Sequence, residues 1–135
     1  MRYLGIDFGD ARIGLALSDS LGIIANGLEV HKVKNMEESA NYIAELAKKH
    51  EVGTLVIGLP YNMDGSSGPR CEKTKEFADL LEKKTNLKIE FIDERLTTVE
   101  SEKVLIEAGK NREKRKELID MISATIILQN YLNKF

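Results

Sequence analysis

The segment RYLGIDFGDARIGLALS, residues 2–18, decides the fold class of this chain. In it, bulky side chains alternate with small or polar ones, first from Arg2 to Phe8 and again from Ile13 to Leu17. A repeat of two residues is typical of a β-strand, and the intervening Gly9-Asp10-Ala11 has the composition of a turn. The segment therefore predicts an antiparallel hairpin with one bulky face and one nearly bare face.

Further along the chain, the pattern changes to amphipathic helices that alternate with short strands. Residues 22–33 are a candidate third strand with a turn or bulge near Asn26-Gly27, and the apolar run 55–59 is typical of a strand covered on both faces. The remaining predicted elements are a helix over 36–50, a helix carrying Phe77, Leu80 and Leu81, a strand over 88–93, a helix from Thr97 that ends before Gly109, and a last helix over about 117–132. An antiparallel meander that feeds βαβ units predicts an α/β fold, with a mixed central sheet of about five strands flanked by helices.

Length and composition predict one domain over residues 1–135. The chain is 42% hydrophobic and 31% charged, with a net charge of −2, which excludes disordered and collagenous classes. Its single cysteine, Cys71, excludes an intramolecular disulfide and any multi-cysteine zinc or iron–sulfur site. No apolar run approaches the roughly 18 residues of a membrane span, so we expect a cytoplasmic protein without a membrane partner.

Carboxylates interrupt the apolar pattern at three places. Asp7 lies on the bare face of the first strand, and Asp93-Glu94 lies at the carboxyl end of the last strand, where open α/β sheets place ligand sites. Because strand neighbours point to opposite faces, only one of these two acids should reach a given site. Asp120 lies in the apolar terminal helix, either as a ligand or as an exposed acid favoured by the helix dipole.

Together these acids predict a site for a hard cation. An all-oxygen ligand set suits Mg²⁺ or Mn²⁺ rather than zinc. With two ions about 3.5–4 Å apart, one can activate water while the other stabilises the leaving oxygen in phosphodiester cleavage. The two histidines, His31 and His50, are isolated in the sequence and are expected at the surface or at the ends of elements.

Four motifs in order then resemble one family over essentially the whole chain. They are GIDFG with RIGLALSD at 5–19, VIGLPYNMDGS at 56–66, DERLTT at 93–98 and DMISATIILQNYL at 120–132. They resemble the YqgF family, also called RuvX, whose members are described as Holliday junction resolvases and as nucleases that mature the precursor of small-subunit ribosomal RNA. The resemblance implies a ribonuclease H-like fold and a divalent-metal phosphodiesterase mechanism.

The resemblance also implies roles for the acids. Asp7 corresponds to the metal ligand of the first strand and Asp120 to that of the terminal helix, whereas the middle ligand falls in residues 93–95. Glu94 is favoured there and Asp93 remains an alternative. Position 10 is often threonine in the family and is aspartate here, which adds a negative charge beside the site.

Several polar and basic residues are candidates for contact with nucleic acid. The loop at 60–68 offers backbone N–H groups and serine hydroxyls to a phosphate, although its turn formers also suit a purely conformational role. The basic run at 110–116 attracts a phosphate backbone or forms a solvated connector. The predicted contacts are Arg12, Asn62, Ser66, Ser67, Arg70, Arg95, Lys110, Arg112, Lys114 and Arg115, with orientation of Glu94 as the alternative role of Arg95.

The resulting hypothesis is an endonuclease dependent on Mg²⁺ or Mn²⁺ that acts on structured nucleic acid, with the 5′ end of precursor 16S ribosomal RNA as the substrate. The alternatives are a Holliday junction resolvase and a non-catalytic nucleic-acid-binding module. A resolvase is expected to be a symmetric homodimer, whereas an RNA-processing enzyme can be a monomer. Asp7-x-Gly9 also resembles the first phosphate motif of actin-like ATPases, but 135 residues cannot supply their duplicated domain. A haloacid-dehalogenase phosphatase is disfavoured because Asp7 and Asp10 are three residues apart, where its nucleophile and acid are two apart.

Overall fold

The computed structural model describes residues 1–62, 64–93 and 112–134. Its strands are β1 (Arg2–Phe8), β2 (Arg12–Ser18), β3 (Ala25–Lys32), β4 (Val52–Leu59) and β5 (Lys88–Asp93). Its helices are α1 (Met36–Lys49), α2 (Pro69–Thr85) and α3 (Arg112–Leu132). The helix predicted from Thr97 lies outside the described residues.

The described strands form one mixed sheet of five strands in the order β3-β2-β1-β4-β5. The hairpin predicted from residues 2–18 is confirmed, because β1 and β2 pair antiparallel with Asp7 opposite Gly14. β2 pairs antiparallel with β3, whereas β4 lies parallel to both β1 and β5. The carboxyl ends of β1, β3, β4 and β5 and the start of β2 therefore share one edge of the sheet.

The third strand is shorter than predicted and begins at Ala25 rather than at residue 22. The carboxylate of Asp19 accepts backbone hydrogen bonds from Ile23 at 2.7 Å and from Ile24 at 3.1 Å. These bonds satisfy backbone groups that a strand would pair with its neighbour, so the chain turns here before the strand begins.

The last helix is longer than predicted. It begins at Arg112 rather than near Glu117. Arg, Lys and Glu are good helix formers, so a run of these residues next to an apolar helix continues the helix. Residues 112–116 of the basic run are therefore helical, which corrects their alternative interpretation as a connector.

Each face of the sheet packs against helices. The bulky face carries the larger core, which α1 and α2 help to form, with Leu4, Ile6, Leu15, Ile43, Leu55, Ile57, Phe77 and Leu81 among its buried residues. The opposite face packs against α3, with Ala16, Val56, Ala124, Ile127, Leu128 and Tyr131 among its buried residues.

Glycine makes close packing of α3 possible. A Cβ atom at Gly14 would lie only 1.9 Å from the carbonyl oxygen of Asp120, and one at Gly5 only 2.7 Å from Cβ of Leu128. The bare face predicted from the alternation is thus the surface on which α3 lies, and a larger side chain at these positions would push the helix away.

His31 is the penultimate residue of β3, near the end of an element as predicted, although its side chain is only 9% exposed. Its ring stacks on Tyr42 with a centroid separation of 4.4 Å, and its Nε2 lies 3.1 Å from Oγ of the buried Ser39. A stacked ring and a hydroxyl partner on α1 explain why a histidine is tolerated there. His50 caps the end of α1, at the end of an element as predicted.

Tyr42 gives this cluster a pH dependence. Its hydroxyl donates a hydrogen bond to Glu29, and this bond, together with burial, raises the pKa of Tyr42 from 10.0 to about 12. The protonated tyrosine is therefore favoured in the folded protein, and its stabilising effect is complete below pH 10 and lost between pH 10 and about 12. We expect the difference in unfolding free energy between the native protein and Tyr42→Phe, measured by urea titration, to shrink across this interval. A difference that stays constant across it would contradict the prediction.

Candidate functional site

Two of the predicted acids come together at the strand edge described above. Asp7 is the penultimate residue of β1 and lies opposite Gly14 on β2. Directly opposed residues share a face of a sheet, and the face of Gly14 contacts the backbone of Asp120. Asp7 and Asp120 are therefore neighbours on the face that α3 covers, although 113 residues (120 − 7) separate them in the sequence.

Arg12 holds the carboxylate of Asp120. Its Nε donates a hydrogen bond of 2.6 Å to Oδ2 of Asp120, and the two side chains are 31% and 21% exposed. A carboxylate with this little exposure requires a partner, and the guanidinium supplies both a donor and a compensating charge. The sequence suggested a nucleic-acid contact for Arg12, whereas in the structure its Nε pairs with a candidate metal ligand.

The last strand distinguishes the two candidates for the third acid. Asp93 pairs in register with Leu59 and is exposed. Ile92 packs in the core beneath α3, whereas Ile89 packs in the opposite core. Alternation therefore directs Asp93 away from the face of Asp7. Glu94 lies outside the described residues.

The donor chemistry of Asp7 and Asp120 fits a hard cation, because carboxylate oxygens are the ligands that Mg²⁺ and Mn²⁺ prefer. Within residues 1–62, 64–93 and 112–134, no group of three or more His, Cys, Asp or Glu side chains is placed to hold a metal ion. The described part of the chain thus supplies two acidic residues of the proposed set, on one face of the sheet.

A second ion pair lies at the same edge, where the sequence carries Asp10. Nζ of Lys73, in the first turns of α2, donates to Oδ1 of Asp10 at 2.8 Å. The hydrogen bond and charge of Lys73, together with the charge of Arg70, lower the pKa of the Asp10 carboxyl. Lys73 thus offsets the negative charge that Asp10 adds beside the site. No local sequence pattern indicates this role, because 63 residues separate the partners.

The loop between β4 and α2 is closed by its own hydrogen bonds. Nδ2 of Asn62 donates to Oγ of Ser66 at 3.1 Å, and that hydroxyl donates to Asp64 at 2.6 Å. The hydroxyl of Ser67 donates to Glu72 at 2.5 Å. These contacts are consistent with a conformational role for Asn62, Ser66 and Ser67, because their side chains bond to other residues of the loop and of α2. A phosphate would have to replace them, so phosphate binding by this loop stays a prediction.

The remaining basic candidates lie on two helices. Arg70 is exposed in the first turn of α2, and Lys114 and Arg115 lie in the first turns of α3, where Lys114 is exposed. Arg95, Lys110 and the side chain of Arg112 lie outside the described residues. The sequence missed Lys32, which is exposed at the end of β3 and lies opposite Arg12 in the β2–β3 register.

The sheet order, the helix packed on its bare face and the acids at one edge define a ribonuclease H-like fold. The chain is similar to RuvC of T. thermophilus, solved in complex with a Holliday junction substrate, with a TM-score of 0.58 and 12% identity over 99% of this chain and 94% of that chain. It is also similar to the fowlpox virus Holliday junction resolvase, with a TM-score of 0.60 and 18% identity over 100% of both chains. These similarities confirm the predicted fold.

The family is established by sequence. The family described as "RuvX: Holliday junction resolvase" matches residues 1–134, and the chain belongs to it. A protein of Halothermothrix orenii is 53% identical over 98% of this chain and 95% of its own length, and one of Ligilactobacillus salivarius is 50% identical over 98% and 92%. Both are named "Putative pre-16S rRNA nuclease". The predicted family and the nuclease class of enzyme are thereby confirmed. None of the described helices is both long and apolar enough to cross a membrane.

Proposed function

We propose that this chain is a divalent-metal-dependent endonuclease that cleaves phosphodiester bonds at the 5′ end of precursor 16S ribosomal RNA, with residues 1–135 as one nuclease domain. The observation that carries the proposal is the approach of Asp7 on β1 and Asp120 on α3 at the carboxyl edge of the sheet. The names of the relatives that are about half identical to this chain support the choice of RNA.

The proposed cofactor is Mg²⁺ or Mn²⁺, as two ions held by Asp7, Asp120 and Glu94. When bound, the ions supply an activated water and stabilise the leaving oxygen of the phosphodiester. The opposite direction of Asp93 supports Glu94 as the third ligand, because the next residue of a continued strand returns to the face of Asp7. Arg12 fixes the orientation of the Asp120 carboxylate through its 2.6 Å hydrogen bond.

We further propose that basic residues around this edge hold the nucleic-acid backbone. Arg70 lies on the α2 side, and Lys114 and Arg115 lie on the α3 side. A substrate that approaches the carboxylates is thus met by positive charge from both helices, which offsets its repulsion from the acids. The other proposed contacts are Arg12, Asn62, Ser66, Ser67, Arg95, Lys110 and Arg112.

The test is a cleavage assay on a precursor 16S ribosomal RNA fragment and on a four-way DNA junction, with the protein's solution mass measured in parallel. We expect a monomer that cleaves the RNA, loses activity when a chelator removes divalent ions, and regains it when Mg²⁺ or Mn²⁺ is added. Cleavage that persists in chelator would contradict the metal mechanism.

A second candidate function is resolution of four-way DNA junctions. It is favoured by the similarity in fold to two resolvases, one of them solved with its junction substrate. Cutting two strands of a junction symmetrically requires two active sites, so this function predicts a homodimer and cleavage of the junction but not of the RNA. Binding without cleavage under either metal would instead indicate a non-catalytic nucleic-acid-binding module.

A further inference from the structure

A groove with a volume of about 370 Å³ lies between β3 and the first half of α3. It is lined by Val30, Lys32, Lys114, Glu117, Leu118 and Met121. Of these six residues, only Lys114 was a candidate in the sequence and belongs to the contacts proposed above, whereas the other five have no role assigned so far.

The groove adjoins the candidate active site. Lys32 lies opposite Arg12 in the β2–β3 register, so both share the face of the sheet that α3 covers. On α3, Glu117 and Met121 flank Asp120, and the backbone of Asp120 contacts Gly14. A substrate strand that passes Asp7 and Asp120 and continues towards β3 therefore enters the groove.

The lining combines two kinds of chemistry. Lys32 and Lys114 are exposed and positive, whereas Val30, Leu118 and Met121 are apolar and half-buried. Among the described lining residues, the two ammonium groups outweigh the one carboxylate, that of Glu117. Ammonium groups attract phosphates, and apolar side chains pack against the faces of unstacked bases, with the polarisable sulfur of methionine well suited to an aromatic ring.

We propose that this groove binds an unpaired nucleotide of the substrate strand beside the scissile phosphate. Lys32 and Lys114 contact its phosphates, and Val30, Leu118 and Met121 pack against its base. The inference rests on the proposed nuclease function for the class of ligand, and it adds a requirement for an unpaired segment next to the cleavage position. A base held in a duplex is stacked on both faces and cannot reach the apolar floor.

The test measures binding separately from cleavage. A fluorescent single-stranded RNA of about ten nucleotides is titrated with the full chain carrying Asp7→Asn, and the Kd is read by anisotropy. We expect Lys32→Ala to weaken binding about fivefold, and Lys32→Ala combined with Lys114→Ala about 25-fold. The slope of log K against log salt should fall by about 0.7 for each lysine removed.

The matched control is Lys34→Ala. Lys34 is also exposed and lies two residues beyond Lys32, but it does not line the groove. The Kd of the Lys34→Ala variant for the RNA should stay unchanged. In a separate experiment with the chain carrying only Asp7→Asn, photo-crosslinking with a photoreactive uridine in the RNA should label Leu118 or Met121. An equal loss of affinity for Lys34→Ala, or crosslinks confined to other surfaces, would show diffuse electrostatic attraction and overturn the proposal.

Further outcomes separate this inference from the proposed function. If Lys32→Ala changes neither RNA binding nor cleavage, the groove has no part in the mechanism, and the proposed nuclease function still stands. If Lys32→Ala weakens the binding of duplex RNA by the same factor, the requirement for an unpaired nucleotide is overturned. A peptide that binds the groove while RNA does not would assign it to a protein partner instead. No binding of any nucleic acid would overturn both proposals.

Discussion

Replacing Asp7 with asparagine is expected to reduce cleavage of the precursor RNA by about a thousandfold or more. The substitution keeps the size and shape of the side chain but removes the charge that a divalent ion requires, and metal ligation contributes several kcal/mol to stabilisation of the transition state. Asp7 is half-buried beside Gly14, on the face that meets Asp120. The measurement is the single-turnover cleavage rate at saturating Mg²⁺, with folding checked by thermal denaturation.

Asp79→Asn is the control for this prediction. Asp79 is exposed on α2, and its substitution makes the same change in charge away from the acids. Its cleavage rate should match that of the native protein. A rate for Asp7→Asn within tenfold of the native rate would rule out this residue as a metal ligand.

The same assay distinguishes the two candidates for the third ligand. Glu94→Gln should lose activity as severely as Asp7→Asn, whereas Asp93→Asn should retain most of it, because alternation along β5 directs Asp93 to the other face of the sheet. The reverse result would mean that the strand does not continue in register beyond Asp93.

The second large effect is expected from Gly14→Ala. The added Cβ would lie 1.9 Å from the carbonyl oxygen of Asp120 and 2.4 Å from its carbonyl carbon. These are backbone atoms and cannot rotate aside, so α3 must move away from β2, and its buried Ile127 and Leu128 lose contact with the sheet. We expect the free energy of unfolding, measured in urea, to fall by about 3 kcal/mol or more.

Gly53→Ala is the matched control for this substitution, since Gly53 also lies in a strand. The atom nearest to its added Cβ would be Sδ of Met1 at 2.2 Å. Met1 is 89% exposed and flexible, so its side chain can move at a cost below about 1 kcal/mol. If Gly14→Ala destabilises the protein as little as Gly53→Ala does, α3 tolerates displacement, and close packing at Gly14 does not position Asp120.

The local sequence pattern determined much of the fold. The alternation over residues 2–18 predicted the β1–β2 hairpin, its bulky face and the side on which Asp7 lies, because the period of a strand assigns each side chain to a face. The motifs predicted the family that the comparison with known proteins establishes. Patterns were less informative at the ends of elements. The hydrogen bonds of Asp19 set the start of β3 at Ala25, and the helix propensity of charged residues extends α3 back to Arg112.

Tertiary structure alone decided the two ion pairs at the candidate site. Arg12 and Asp120 are 108 residues apart, and Lys73 and Asp10 are 63 apart, so no local period relates either pair. Each pair forms because helices pack at particular places on the sheet, and for α3 that place is set by the absence of a side chain at Gly14. The sequence by itself therefore determined the class of protein and nominated Asp7 and Asp120 as ligands. Only the packing of α3 made them neighbours, gave Asp120 its arginine and opened the groove beside Lys32, because these contacts depend on distances between elements that the sequence does not encode locally.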